Sequence, residues 1–218
     1  MLSIWLAIFF AKLNNTFPAV IAASWQTVIL VTSLMVALPA QSATVYCQTS
    51  DAPANAHAIN SSVTIPDGSD QDTTTLDNFT LPKSAMVTSV SWRGSSTDYA
   101  STGFIITIYP PQTNPAAQAN LSNPLAEITE TGKANENVIG NNLSDYRATF
   151  QQPVELNAGK QYWISIVAVR NFPSPWAWSS GSGGDGISTQ SFSELRILHA
   201  PKDRAFSLFD GSQESSKK

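Results

Sequence analysis

The stretch PWAWSSGSGGDGISTQSF, residues 175–192, joins two tryptophans to a glycine-rich turn and a carboxylate. Residues two apart in a strand point to the same face, so Trp176 and Trp178 are expected side by side. On an outer face their indoles would form a platform for sugar rings, together with Trp92 and Tyr99. On an inner face they would fill a core. The sequence leaves both interpretations open.

The surroundings of the two paired tryptophans differ. Pro173 and Pro175 precede Trp176 and are typical of a strand edge, which favours exposure of that ring. Trp178 follows the apolar run YWISIVAV and precedes the glycine turn, which favours a core position. Such a split between neighbours on one face would require a bulge or an early strand end near Trp176.

Two turn-like segments carry carboxylates that could bind a ligand or a metal. Asp185 stands between glycines in GSGGDG, and we interpret it as a turn residue or, alternatively, as a ligand-facing or calcium-binding group. Asp67, Asp70 and Asp72 fall within PDGSDQD, and calcium takes several oxygen ligands of this kind. Their spacing differs from that of an EF-hand, so the alternatives are a solvated acidic loop and a structural calcium site.

Residues with the pattern of a catalytic site are scarce. The two histidines, His57 and His199, lie far apart in the sequence, and neither G-x-S-x-G nor H-E-x-x-H nor a cysteine cluster occurs. Glu127, Glu130 and Glu155 are the main acids of the strand-like runs, and they suit solvent-facing positions. We therefore predict a non-catalytic protein. A secreted hydrolase with scattered carboxylates is the less favoured alternative.

The elements that must position these residues are short strands. Runs rich in β-branched and aromatic residues recur between Pro, Gly, Asn and Ser, and no sustained helical spacing follows residue 43. The runs are LDNFTL, MVTSVSW, FIITIY, LAEIT, YRATF, YWISIVAV, WAW and RAFSLF. They predict an all-β fold, an antiparallel β-sandwich or jelly roll of about seven to nine strands. The sandwich is expected over residues 76–210, with an irregular segment at 44–75 and a disordered tail at 211–218.

The first 43 residues predict an export signal that forms an apolar leader helix. Lys12 is their only charged residue and precedes the largely apolar stretch 19–39, after which AQSA offers small residues to a leader peptidase. The stretch is longer than the roughly 7–15 residues of a signal core and matches the roughly 20 of a spanning helix. A cleaved signal peptide and an uncleaved signal anchor both stay open. Either one makes the remainder secreted or holds it at the cell surface.

The charge balance excludes some classes of partner. Charged residues make up 13% of the chain, and beyond residue 43 there are 11 Lys and Arg against 16 Asp and Glu. This mild acidity argues against nucleic acid and against an anionic membrane surface, since both attract basic patches. Contact with a membrane is therefore expected only through an uncleaved leader. Cys47 is the single cysteine, so it is interpreted as an unpaired thiol or as a site of intermolecular pairing.

The ordered series DNFTLP, VTSVSWRG, FIITIY, YWISIVA, WAWSS, GGDGISTQSF and RAFSLF resembles a bacterial exported domain. That domain recurs in secreted proteins that often carry a PEP-CTERM-type sorting helix at the C-terminus. The resemblance covers about residues 70–210 and implies an exported β-sandwich with no established activity. The chain departs from the pattern after Phe209, where it reads DGSQESSKK, so release or anchoring by the leader is expected instead of sorting by that helix.

The sequence as a whole predicts an exported, non-catalytic β-sandwich without a cofactor other than calcium. One hypothesis is a binding module for an extracellular glycan or a cell-surface polymer. The other is a structural component of the matrix or surface without a small ligand. Exposure of the aromatic rings separates the two, because stacking on a sugar needs an accessible ring face.

Overall fold

The computed structural model describes residues 42–52, 57–66, 68, 72–97, 101–111, 123–171, 175–192 and 196–211. In these residues the protein is all-β, with sixteen strand segments and no helix, so none of the described elements could span a membrane as a helix. Residues 1–41 of the predicted leader, 1–43, and residues 212–218 of the predicted tail, 211–218, lie outside the described part, and Ala43 belongs to β1. The strands are β1 (Ala43–Ser50), β2 (Ile59–Asn60), β3 (Ser62–Thr64), β4 (Thr73–Thr80), β5 (Ala85–Ser95), β6 (Ser101–Tyr109), β7 (Ala126–Thr131), β8 (Asn137–Gly140), β9 (Leu143–Leu156), β10 (Gln161–Arg170), β11 (Ala177–Trp178), β12 (Ser180–Ser182), β13 (Ile187–Phe192), β14 (Arg196–Pro201), β15 (Asp203–Arg204) and β16 (Phe206–Asp210).

The strands form two sheets, an arrangement consistent with a β-sandwich. Sheet 1 has nine strands. Seven of them follow the order β15-β12-β1-β16-β5-β11-β2. The other two extend from β5, since β9 pairs with β5 and β8 pairs with β9. Sheet 2 has seven strands in the order β14-β13-β4-β3-β10-β6-β7. Within the described residues every pairing is antiparallel except that of β3 with β10. The predicted all-β class with antiparallel strands is therefore confirmed.

The N-terminal part of the sandwich corrects two predictions. The described residues of 44–75 are largely regular, since β1 to β3 lie among them and β1 pairs with β16 from Ala43 opposite Asp210 onward. The number of strand segments also exceeds the predicted seven to nine, because short pieces such as β2, β11 and β15 extend the sheets. The sequence concealed β1 because half of its eight residues are polar, and its hydrophobic contacts with the core come from Val45 and Tyr46, which are only partly buried.

The core lies between the two sheets and follows the alternation of side chains along each strand. The apolar run YWISIVAV forms β10, a central strand of sheet 2, which lies between β6 on one side and β3 and β4 on the other. Its inward residues meet those of β6 from the same sheet and those of β5 and β16 from the opposite sheet. These residues are Tyr162, Ile164, Ile166, Ala168, Phe104, Ile106, Ile108, Val87, Val90, Trp92, Phe206 and Leu208.

Gly94 on β5 allows β11 to approach closely. It pairs with Trp178 of β11 and with Ser144 of β9, so strands border it on both edges. A Cβ atom at this position would lie 2.1 Å from Cζ2 of Trp176 and 2.7 Å from the carbonyl oxygen of Ala177. Both distances are shorter than van der Waals contact, and the second involves backbone that cannot rotate away.

We expect Gly94→Ala to destabilise the fold by about 1–3 kcal/mol, the usual cost of overpacking a core. The added methyl group would have to displace the Trp176 ring or separate β5 from β11. Urea denaturation followed by tryptophan fluorescence measures the effect. Ser91→Ala, on the opposite face of the same strand, is the matched control and should change the unfolding free energy by no more than about 0.5 kcal/mol. Equal midpoints for the two variants would contradict the close approach.

Candidate functional site: a groove on sheet 1

The tryptophans proposed for a sugar platform are core residues. Trp92 is 2% exposed, and Trp176 and Trp178 are 0% exposed. Trp92 and Trp176 both pack against Phe104 of sheet 2, with ring centroids 5.2 Å and 5.1 Å away. The expectation of an aromatic platform is therefore corrected, because none of the three rings has a face that a sugar could reach. Tyr99, the fourth residue of the expected platform, lies outside the described residues.

The split expected between Trp176 and Trp178 is also wrong. Both indoles are buried on the inner side, and both donate from Nε1 to a backbone carbonyl. Trp176 donates to Ser95 at 2.7 Å and Trp178 to Ala205 at 2.9 Å. Trp176 is buried despite the nearby prolines, because its indole N–H donates to the carbonyl of Ser95 inside the sandwich.

Asp185 takes the role of a turn residue. One carboxylate oxygen accepts from its own turn, from the amide of Ile187 at 3.0 Å, and the other accepts from Nδ2 of Asn78 at 2.8 Å. Gly183 and Gly186 flank it with φ of 116° and 82°, which only glycine adopts without strain. Both oxygens of this exposed carboxylate thus bind protein donors, and the arrangement supports the turn interpretation over a ligand-facing one.

The glycine turn closes over a buried acidic pair that the sequence did not single out. Asp203 accepts from the amides of Gly184 and Gly186 at 2.8 Å and 2.7 Å. Asp77 on β4 is 0% exposed and accepts from the amides of Asn78 and Arg204. Burial raises the pKa of Asp77 to about 8, and the charge of Asp203 acts in the same direction, against the two amide donors.

Arg204 is a buried cation beside this acidic pair. Its guanidinium donates to the backbone carbonyls of His57, Trp178, Pro201 and Lys202. Burial lowers its pKa, although nearby carboxylates oppose this shift. These hydrogen bonds connect four backbone positions to one side chain. The cluster of Asp77, Asp203 and Arg204 therefore stabilises the edge of sheet 1 that β15 forms.

The predicted calcium loop is only partly described. Asp67 and Asp70 lie outside the described residues, and Oδ1 of Asp72 accepts from the amide of Thr64 at 2.9 Å. Within the described part of the chain, three or more His, Cys, Asp or Glu side chains do not come together in a way that could hold a metal. Calcium binding by Asp67, Asp70 and Asp72 therefore stays a prediction.

The two histidines contact different parts of the fold. The backbone amide of His57 donates to Oγ of Ser180, the first residue of β12, at 3.0 Å. Nδ1 of His199, on the edge strand β14, lies 3.5 Å from Oγ1 of Thr189. The contacts of both residues are therefore with neighbouring strands and support a role in the fold.

An open groove of about 360 Å³ lies on sheet 1. Its walls come from four strands that are neighbours in the sheet, β1, β16, β5 and β9. The groove therefore forms only when these strands pair. Both polar and apolar residues line it. The lining residues are Cys47, Gln48, Thr49, Ser50, Ser91, Trp92, Arg93, Asp145, Ala205, Phe206 and Ser207.

An ion pair between β5 and β9 dominates the charge of the groove. Arg93 and Asp145 are cross-strand partners, and the guanidinium binds both carboxylate oxygens, with Nε to Oδ1 at 2.7 Å and Nη2 to Oδ2 at 2.9 Å. Nη1 of Arg93 also donates to Oγ of Ser50 at 3.2 Å. The hydrogen bond to Asp145 raises the pKa of Arg93, which favours the charged guanidinium. Its side chains are 24% and 40% exposed and thus reach solvent.

The single thiol of the chain lies in the same groove. Cys47 is exposed, and Oγ of Ser207 donates to its Sγ at 3.2 Å.

The alternation in SWRG could have indicated that Arg93 lies on the strand face opposite to that of the buried Trp92. No local signal could have indicated the rest, since Asp145 is 52 residues from Arg93 and Ser207 is 160 residues from Cys47.

Comparison with known proteins adds no relative to this picture. No protein-family model matches the chain, and no curated protein matches it.

Proposed function

We propose that the chain is an exported, non-catalytic β-sandwich that binds a glycan or another polymer of the cell surface. The observation that carries this proposal is the open groove on sheet 1, with its partly exposed Arg93–Asp145 pair. Hydroxyl groups and paired charges on a rigid sheet are suited to hydrogen-bond a hydroxyl-rich chain. The proposal includes a jelly-roll arrangement of the strands and a leader helix in residues 1–43.

The location outside the cytoplasm follows from the leader and from the resemblance to exported domains. The charge of the segment beyond residue 43 favours neither nucleic acid nor an anionic membrane as partner. A secreted protein and a protein held by an uncleaved leader would both present the groove to polymers outside the cell.

A structural component of the matrix or surface is the second candidate. The burial of Trp92, Trp176 and Trp178 favours it, because the rings that could have formed a stacking platform stabilise the core instead. Stacking on aromatic rings supplies much of the affinity in many sugar sites, so binding at the groove would rest on hydrogen bonds.

Sedimentation with insoluble polysaccharides separates the two candidates. We expect the full-length protein to pellet with at least one neutral polysaccharide or cell-wall fraction and to be released by its soluble fragments. An unrelated acidic protein of similar size serves as the control for trapping. If the protein stays in the supernatant with every polymer, the binding proposal fails and the structural component is left.

A further inference from the structure

We infer that the groove on sheet 1 recognises a neutral, hydroxyl-rich sugar chain through the Arg93–Asp145 pair. The inference rests on the proposed function and adds to it the ligand class and the residues. It follows from the charge, the unused hydrogen-bonding capacity and the rigidity of that pair.

The charge of the groove favours a neutral ligand. Arg93 and Asp145 bind each other through two hydrogen bonds of 2.7 Å and 2.9 Å, so their charges cancel locally. An anionic ligand would have to compete with Asp145 for the guanidinium, and the net charge of the chain, −4, would repel it further. A cationic ligand would have to compete with Arg93 for the carboxylate. A neutral polar ligand can bind without breaking the pair.

The pair retains donors and acceptors at adjacent positions. A guanidinium has five N–H donors, and the contacts with Asp145 and Ser50 use three of them. A carboxylate has about four acceptor positions, of which the guanidinium uses two. A sugar hydroxyl both donates and accepts, so two neighbouring hydroxyls of one ring match an N–H and a lone pair that lie side by side.

The small polar side chains of the groove extend this surface. Ser91 lies on the same face of β5 as Arg93. Ser207 of β16 is the cross-strand partner of Ser91. The hydroxyl of Ser207 donates to a sulfur, a weak acceptor, so it can exchange that contact for a ligand oxygen at little cost. The groove is open, which lets a chain lie along it.

The ligand-binding pair is held in place before a ligand arrives. Arg93 and Asp145 face each other across the long β5–β9 pairing, which runs from Ala85 opposite Leu156 to Ser95 opposite Leu143. Both strands contribute to the core on their other face. Side chains fixed by such a sheet lose little conformational freedom on binding.

Cys47 allows the groove to be probed in the native protein. It is the only cysteine of the chain, it is exposed, and it lines the groove. The rate of its alkylation by iodoacetamide is measured by mass spectrometry on the full-length protein, alone and with soluble neutral or anionic polysaccharides. Soluble fragments of the neutral polysaccharide that pellets the protein should slow alkylation several-fold. An anionic polysaccharide should leave the rate unchanged.

Asp145→Asn tests the pair itself, and Glu155→Gln is its matched control, with the same change of charge at an exposed position of β9 outside the groove. Loss of the carboxylate should weaken binding of the neutral polysaccharide about tenfold or more. It should also let an anionic polysaccharide bind, since Arg93 is then uncompensated. Ser91→Leu, which fills the groove and leaves the pair intact, replaces this test if Asp145→Asn does not fold.

The outcomes distinguish the inference from the function on which it rests. Binding of a neutral polysaccharide without protection of Cys47, or with equal affinity in Asp145→Asn and Glu155→Gln, would overturn the groove as the site and leave the proposed function intact. Stronger protection by an anionic polysaccharide would overturn the neutral ligand class. Absence of binding to every polymer would overturn both proposals.

Discussion

Replacing Trp178 by alanine should lower the free energy of unfolding by about 3–5 kcal/mol, because the indole is 0% exposed and its removal leaves a large cavity. The change also removes one of two hydrogen bonds to the carbonyl of Ala205 and a ring contact with Phe206, whose centroid lies 6.1 Å away. A domain is stable by only about 5–15 kcal/mol, so a large share of the total is lost. Urea denaturation measures the loss, and a lower yield of soluble protein should accompany it.

Trp176→Ala should cost a similar amount, because this ring is equally buried and has a hydrogen-bonded indole of its own. Trp163→Ala is the matched control, since that ring is only partly buried and is not part of the core cluster. A loss at Trp178 no larger than that at Trp163 would contradict the core assignment. Unequal losses at Trp176 and Trp178 would show that the two rings do not share one buried environment.

The stability of the protein should fall as the pH rises toward 8, because Asp77 is held protonated in the fold. Its pKa is raised from 3.8 to about 8, so between these values the native state keeps a proton that the unfolded chain has lost. Stability therefore decreases with pH across this window, by up to about 1.4 kcal/mol per pH unit from this one group. Urea denaturation at pH 5, 6, 7 and 8 measures the slope.

Two other carboxylates have shifted pKa values, and they affect the stability of the fold in a different pH range. Hydrogen bonds from Lys202 and Ser180 lower the pKa of Asp51. Hydrogen bonds from Thr97, with further ones from Ser144 and Tyr146, lower the pKa of Glu136 despite its burial. A carboxylate with a lowered pKa stabilises the fold at neutral pH and loses this effect only as the pH falls below its ordinary range. Asp77 is thus the carboxylate that should set the slope above pH 5.

Asp77→Asn should remove most of that slope, because asparagine is neutral throughout the range. It keeps one acceptor for the amides of Asn78 and Arg204 and loses the other, so the variant should be less stable at pH 5, where Asp77 is protonated, and closer to the parent at pH 8. Glu155→Gln, at an exposed carboxylate, should leave the slope unchanged. An unaltered slope in Asp77→Asn would show that Asp77 is ionised in the fold.

The sequence by itself determined the class of the fold. Short β-branched and aromatic runs with breakers between them specify strands through local sterics and the two-residue alternation, as in YWISIVAV and FIITIY. The same local logic failed for ATVYCQTS, which became β1, because half of its residues are polar and its pairing partners, such as β16, lie far away in the sequence.

Only the tertiary structure decided which face of each strand is covered and which residues meet. Alternation showed that Trp176 and Trp178 share a face, but the packing of sheet 2 against sheet 1 made that face the inner one. Likewise, Asp77 lies 127 residues from Arg204, and Arg93 lies 52 residues from Asp145. Burial and charge pairing depend on contacts between distant strands, and a periodicity read along one strand does not contain that information.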